Sequence, residues 1–186
     1  MKRDTKLKSL SDGVERDENN RRIIRMNVTD DGGFLSPLSV AGAPLISAET
    51  AAFLDINVKH DLTDSGVKLI ISSDAIDDGE KLVYEQAIKN YYRVEYKETW
   101  KELRRNAVSA IVMLLFSACV FALAVVLETT TAANAVILNM LDVFAWVFTW
   151  EAVDMLFLQR PKLRKQQKRN AAAFDAEIVF QKASDL

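Results

Sequence analysis

The stretch AANAVILNMLDVFAWVFTWEAVDMLFL, residues 132–158, decides the fold prediction. Its length and apolar character fit a helix that crosses a bilayer, which takes roughly 20 mostly apolar residues. The stretch nevertheless carries Asp142, Glu151 and Asp154. Because acids inside a membrane span are costly, each of these three carboxyl groups needs a structural or functional reason to be there.

A second candidate span, AVSAIVMLLFSACVFALAVVL, covers residues 107–127 and carries no charge. Only Glu128 and three threonines separate the two apolar stretches, and so short a connection makes the spans antiparallel neighbours. Their outer ends then emerge on one side, and both are basic: Arg104 and Arg105 precede the first span, and a cluster from Arg160 to Arg169 follows the second. The positive-inside rule therefore predicts a multi-pass protein of the cell membrane with both termini in the cytoplasm.

The composition of the 186-residue chain argues against several functional classes. A formal net charge of -2 gives no basic field for nucleic acid. One cysteine and one histidine argue against a disulfide framework, a zinc site or a catalytic triad. Phosphate-binding, dinucleotide-binding and zinc-protease motifs are missing from the sequence. We therefore predict a protein that is not an enzyme and that has no metal and no cofactor.

The first 76 residues divide into a tail and a small domain. Residues 1–21 are charged and lack apolar periodicity, which predicts a disordered tail. Residues 22–76 have the pattern of a cytoplasmic α/β domain, with strands at 23–28 and 67–72 and a helix at 48–58 between them. The loop FLSPLSVAGAP after the first strand carries unusually many apolar side chains, which indicates packing on the domain or on a partner.

Local capping signals predict where the helices begin. Ser47 fits the N-cap of the first helix. The pattern Asp77-x-x-Glu80 resembles a capping box at the start of a long helix over residues 77–106. That helix either continues into the first span or breaks near residues 104–106.

The predicted fold is therefore an α+β protein with a transmembrane helical hairpin. A small N-terminal β-α-β-α domain precedes the hairpin over residues 107–158, and a basic C-terminal cytoplasmic helix over residues 159–186 follows it. The basic residues of that last helix either lie at lipid headgroups or meet the acids of residues 95–102 on the helix before the membrane.

The candidate site inside the membrane consists of Asn139, Asp142 and Ser117. On a helical wheel Asn139 and Asp142 share a stripe about 80° wide with Trp146 and Thr149. Matching depths around the hairpin loop places Asp142 level with Ser117, and a protonated Asp142 would donate a hydrogen bond either to Ser117 or to a backbone carbonyl group. The stripe either joins helices in an oligomer or lines a cation or proton pathway as a ring of acids.

A second candidate site is a charge cluster at the cytoplasmic end of the hairpin. Glu151 and Asp154 lie one turn apart and are expected level with Arg104 and Arg105 on the neighbouring helix. Salt bridges that fix the register of the hairpin are the simpler interpretation, and a vestibule for cations is the alternative.

Two segments, IDDGEKLVYEQAIKNYY (76–92) and DVFAWVFTWEAVD (142–154), resemble an uncharacterised family of small bacterial two-span membrane proteins. The resemblance implies an integral membrane protein of unassigned role and carries over no catalytic residues. From the sequence as a whole we predict a non-enzymatic module that anchors and oligomerises in the lipid bilayer and presents a cytoplasmic domain to a protein partner. The alternative is a small oligomeric cation or proton pathway lined by Asp142.

Overall fold

The computed structural model describes residues 15–40, 42–59, 66–130 and 134–182, which form a small parallel sheet and several helices, two of them long and apolar. The predicted mixture of helix and sheet is confirmed. The strands are β1 (Arg22–Asn27), β2 (Val67–Ser72) and β3 (Glu177–Gln181). The helices are α1 (Ala48–Lys59), α2 (Asp78–Thr130), α3 (Ala135–Asp154) and α4 (Arg160–Phe174), with a π-helix (Met155–Gln159) between α3 and α4.

The chain divides into two compact units that do not follow the chain order. Among the described residues, the first unit contains those up to Tyr96 together with those from Lys168 onward, and the second contains those from Lys97 to Gln167. The second unit is therefore an insertion: the chain leaves the first unit after β2 and returns to it before β3. The expected contiguous order of a soluble domain, a hairpin and a tail helix is wrong in this respect.

The sheet of the first unit is parallel throughout, in the order β1-β2-β3. Ile24 on β1 pairs with Leu69 on β2, and Leu69 also pairs with Ile178 on β3. Parallel neighbours need a long crossover connection, and α1 provides the first one. The inserted unit lies within the second.

The prediction of a helix from residue 159 to the C-terminus is wrong beyond Phe174, because β3 occupies Glu177–Gln181. Ile178 continues the helical spacing of the preceding apolar residues, and this suggested one long helix. The segment EIVFQ is, however, rich in residues that favour strands, and it pairs along β2. Strand pairing over such a sequence distance leaves no local periodic signal.

The core lies on one face of the sheet. Alternate side chains of the strands, including Ile24, Met26, Leu69 and Ile71, are buried against helices, as the two-residue period of a strand requires. Leu54 of α1 and Ile88 of α2 cover them. The loop that follows β1 contributes Phe34, whose ring stacks on that of Tyr84 with centroids 4.5 Å apart.

Both predicted helix starts are confirmed. The backbone N–H of Thr50 donates to Ser47 Oγ at 3.3 Å at the start of α1. At α2 the N–H of Glu80 donates to Asp77 Oδ1 at 2.8 Å, and Glu80 Oε2 accepts from the N–H of Asp77 at 3.0 Å. The α2 helix then runs without a break to Thr130, so the predicted alternative of a break near residues 104–106 is wrong.

The predicted disordered tail is only partly within the described residues, since residues 1–14 lie outside them. From residue 15 the chain is ordered against β1. Arg16 forms an antiparallel bridge with Arg22, and Asp17 Oδ2 accepts from Arg21 Nε at 2.7 Å. The disorder prediction is therefore wrong for residues 15–21, where polar hydrogen bonds order a segment that buries little apolar surface.

Candidate functional site

The second unit is a helical hairpin that packs through a seam of small residues. Five buried positions form this seam: Ala110, Ser117 and Ala124 on α2, and Ala145 and Ala152 on α3. On both helices these positions recur every seven residues, so they stay on one face along the contact. Small side chains let helices approach closely.

Ser117 is the polar centre of the seam. Its Oγ donates to the carbonyl oxygen of Ala145 at 2.8 Å and lies 2.6 Å from Thr149 Oγ1. The Thr149 hydroxyl also reaches the Ala145 oxygen, at 3.1 Å. The two hydroxyl groups and one carbonyl oxygen therefore satisfy each other between the helices.

The structure does not bring Asp142 to Ser117. Instead Ser117 lies level with Ala145 and Thr149, one to two turns further along α3. The expected depth match placed the turning point of the hairpin too early in the chain, because α2 continues to Thr130 before the connection at residues 131–133, which lies outside the described residues.

Asp142 and Asn139 both lie exposed on the hairpin. Within the described part of the chain, neither side chain makes a hydrogen bond or an ion pair. The stripe of Asn139, Asp142, Trp146 and Thr149 thus runs from the outer surface into the seam, where only Thr149 is bonded. The outer surface of α3 also exposes large apolar side chains, among them Val136, Met140, Val143, Phe144 and Val147.

The predicted charge cluster at the other end of the hairpin is not assembled as ion pairs. Among the described residues no salt bridge joins Glu151 or Asp154 to Arg104 or Arg105. The guanidinium carbon of Arg104 lies 5.9 Å from the ring centroid of Trp100. Glu151 and Arg105 are exposed.

Amide side chains join the helices at this end instead. Asn106 Nδ2 donates to Gln159 Oε1 at 3.0 Å, and Gln159 Nε2 donates to Asp154 Oδ2 at 2.8 Å. This contact was not predicted from the sequence, although Asn106 and Gln159 each lie directly beside an apolar span. Asn106 precedes the first apolar span and Gln159 follows the second, and these matching positions are the sequence pattern that could have predicted the contact.

The π-helix that contains Gln159 has a local cause in Pro161. Proline has no backbone N–H, and inside a helix its ring clashes with the carbonyl group four residues earlier. A wider π turn just before the proline relieves this crowding, and the N–H of Arg160 bonds to the carbonyl oxygen of Met155, five residues back. The same widening brings Gln159 next to Asp154.

In the first unit the apolar loop after β1 has two parts. Phe34 is buried in the core, whereas Leu38 is 85% and Val40 71% exposed. The N–H of Ser36 donates to the carbonyl oxygen of Leu45 at 2.8 Å, and the N–H of Leu45 donates to Ser39 Oγ at 3.1 Å. The loop therefore holds two apolar side chains in water on an internally bonded backbone.

A cavity of about 540 Å³ lies at the carboxyl ends of β2 and β3 in the same unit. Its acids already have partners in the fold: Asp77 caps α2, and Asp78 pairs with Lys81 at 2.5 Å. In the described residues no group of three or more histidine, cysteine, aspartate and glutamate side chains is arranged to hold a metal.

Three core tyrosines of the first unit have raised pKa values. Burial raises the pKa of Tyr84, and its hydrogen bond to Asp31 at 3.1 Å adds to the effect. Burial also raises the pKa of both Tyr91 and Tyr92, and the negative charge of Asp55 raises each further. These hydroxyl groups are held in their neutral form by the fold, which fits a structural role.

The fold and the hairpin define a mixed α/β unit interrupted by two long apolar helices. Comparisons of the chain with protein-family models, curated proteins and solved structures found no match. The resemblance to small two-span bacterial proteins therefore stays a prediction.

Proposed function

We propose that the protein is an integral membrane protein whose hairpin anchors and oligomerises a cytoplasmic module that binds a protein partner. The observation that carries this proposal is the exposed apolar surface of the hairpin. Its two helices are long and apolar enough to cross a membrane, and most of their apolar side chains are uncovered by the rest of the chain. Because exposed apolar surface on this scale is unfavourable in water, a bilayer is the environment that fits it.

The topology of the sheet supports a two-span arrangement. The hairpin is inserted between β2 and β3, which are hydrogen-bonded neighbours. If only one of its helices crossed the membrane, these two strands would lie on opposite sides of it and could not pair. This pairing supports a topology with both ends of the hairpin on the same side as the module, and the basic residues at both ends favour the cytoplasm as that side.

The loop tip at Leu38 and Val40 is the part of the module that best fits a protein partner. Its backbone is already hydrogen-bonded, so binding would order little additional chain and would cost little conformational entropy. Residues 34–48 carry no charged side chain, so the partner would offer an apolar surface.

Two experiments on the full-length chain test the proposal. We expect the protein to stay in the membrane fraction after extraction with alkaline carbonate, and its release into the soluble fraction would contradict the anchoring role. We also expect the double variant Leu38→Ser, Val40→Ser to lose a partner that the wild type captures from solubilised membranes. Leu82→Ser is the matched control, because Leu82 is an exposed leucine on α2. Equal capture of the partner by the wild type, the double variant and the Leu82→Ser control would contradict the role of the loop.

A cation or proton pathway is the second candidate, and the outward position of Asp142 favours it over a role for this acid inside one hairpin. An assembly of hairpins with this face inward would place several carboxyl groups around an axis. Purified protein in liposomes should then conduct, and Asp142→Asn should abolish the flux. Absence of flux in the wild type, or equal flux in the variant, would remove this candidate.

A further inference from the structure

Asn139 and Asp142 are polar groups on an apolar surface, and neither has a partner among the residues that the structure describes. Inside the hairpin the hydroxyl groups of Ser117 and Thr149 already satisfy each other and the Ala145 carbonyl group. Asn139 and Asp142 take no part in those hydrogen bonds and are exposed. In hydrocarbon an amide or a carboxyl group without a hydrogen-bond partner is costly, since lipid chains offer neither donors nor acceptors.

We propose that these two side chains bind the same two side chains of a second copy of the chain, Asn139 of each copy bonding to Asp142 of the other. This inference rests on the proposed function, in which the hairpin spans a membrane. Copies inserted in the same orientation present parallel α3 helices to each other. Around a two-fold axis along the membrane normal, the contact from Asn139 to the other copy's Asp142 then occurs twice.

The spacing of the two residues suits this arrangement. They are three positions apart on one helix, so they share a face and differ in depth by about 4.5 Å. Short amide and carboxyl side chains can bridge that offset between two helices in contact. Exposed Val143 and Trp146 lie on the same side and supply apolar area around the polar pair.

The chemistry of the pair is self-complementary, and this identifies a second copy as the occupant. The amide of Asn139 carries two donors and an acceptor, so it pairs with Asp142 whether the carboxyl group is charged or protonated. A partner of different sequence would need to supply the same donor and acceptor at the same depth. A second copy does so by symmetry, and one face then satisfies both of its polar side chains.

The test measures self-association of the full-length chain in liposomes by single-molecule fluorescence over a range of protein-to-lipid ratios. With about 1 kcal/mol for each interhelical hydrogen bond, losing two bonds should weaken association about 30-fold in Asp142→Leu and in Asn139→Leu. Asp142→Asn should associate within a few-fold of the wild type, because two amides also pair reciprocally. Met140→Leu, an exposed apolar change between the two positions, is the matched control and should associate as the wild type does.

Three outcomes would overturn the inference: a wild type that stays monomeric, leucine variants that associate as the wild type does, or an Asp142→Asn variant as weak as Asp142→Leu. Alkaline carbonate extraction of every variant separates this failure from failure of the proposed function. A protein that resists extraction but does not use Asn139 and Asp142 for association contradicts only the contact. A wild type that is extracted contradicts membrane anchoring itself.

Discussion

At the scale of single residues, Ser117 and Asp142 differ in how far the sequence determines their contacts. The seam around Ser117 follows a local pattern, since Ala110, Ser117 and Ala124 recur every seven residues and such a repeat keeps them on one face of the helix. The partner of Ser117 was predicted less well. A shift of the hairpin's turning point by a few residues exchanges Asp142 for Ala145 and Thr149, and the sequence of a short connection does not define that point sharply.

Ser117→Ala should destabilise the hairpin by about 1 kcal/mol, since it removes the hydrogen bond to Ala145 and leaves a carbonyl oxygen with fewer donors. Ser117→Leu should cost more, about 1–3 kcal/mol, because it inserts a large side chain into a seam of alanines. Unfolding of the full chain by detergent titration measures both changes. Ser109→Ala on the same helix lies outside the seam and is the control. Equal stability of Ser117→Leu and the wild type would show that the helices do not pack through this seam.

The three core tyrosines predict a loss of stability at high pH. Their pKa values in the folded chain lie above the ordinary value of 10.0, so the folded state holds its phenolic protons more tightly than the unfolded state. The stabilisation is therefore complete below pH 10, and the free energy of unfolding should decrease as the pH rises beyond it. Denaturant unfolding monitored by circular dichroism between pH 7 and pH 11, values chosen to bracket the ordinary tyrosine pKa, measures the effect. Tyr84→Phe should flatten the alkaline decrease, and an unchanged slope in this variant would contradict the assignment.

At the scale of secondary-structure elements, local signals predicted starts well and distant partners poorly. The start of α2 was predictable because a capping box needs only residues three positions apart. The strand β3 was not, because its partner β2 is distant in the chain and its apolar residues extend a helical spacing. The π-helix before Pro161 was only partly predictable from local sequence. Proline predicts a distortion of the helix, but the contact of Gln159 with Asn106 depends on the neighbouring helix.

Asp77→Ala should destabilise the first unit by about 1 kcal/mol, because it removes the side-chain acceptor at the start of α2. Asp78→Ala is the matched control. It changes a neighbouring acid whose exposed pair with Lys81 contributes little. Chemical denaturation of the full chain, monitored by the fluorescence of a label attached to the module, compares the two variants. A larger loss in Asp78→Ala than in Asp77→Ala would contradict the capping assignment.

At the scale of the whole molecule, the insertion of a hairpin into a parallel sheet connects the fold to the proposed function. The sequence predicted two spans and a small α/β domain, but not that one domain is built from both sides of the hairpin. That arrangement depends on β3, whose pairing no local pattern reports. If the hairpin crosses a membrane as we propose, the pairing of β2 with β3 requires both of its ends to lie on one side, independently of the charge pattern.

The most direct test of the account is the sidedness of the hairpin in intact cells. Single cysteines at Lys101, Thr129 and Lys165, all exposed, are introduced into a Cys119→Ser background and treated with a membrane-impermeant maleimide. The account predicts that Thr129→Cys reacts in intact cells, whereas Lys101→Cys and Lys165→Cys react only after permeabilisation. Reaction of Lys101→Cys and Lys165→Cys from opposite sides, or of all three positions from the same side, would contradict a two-span hairpin inserted between β2 and β3.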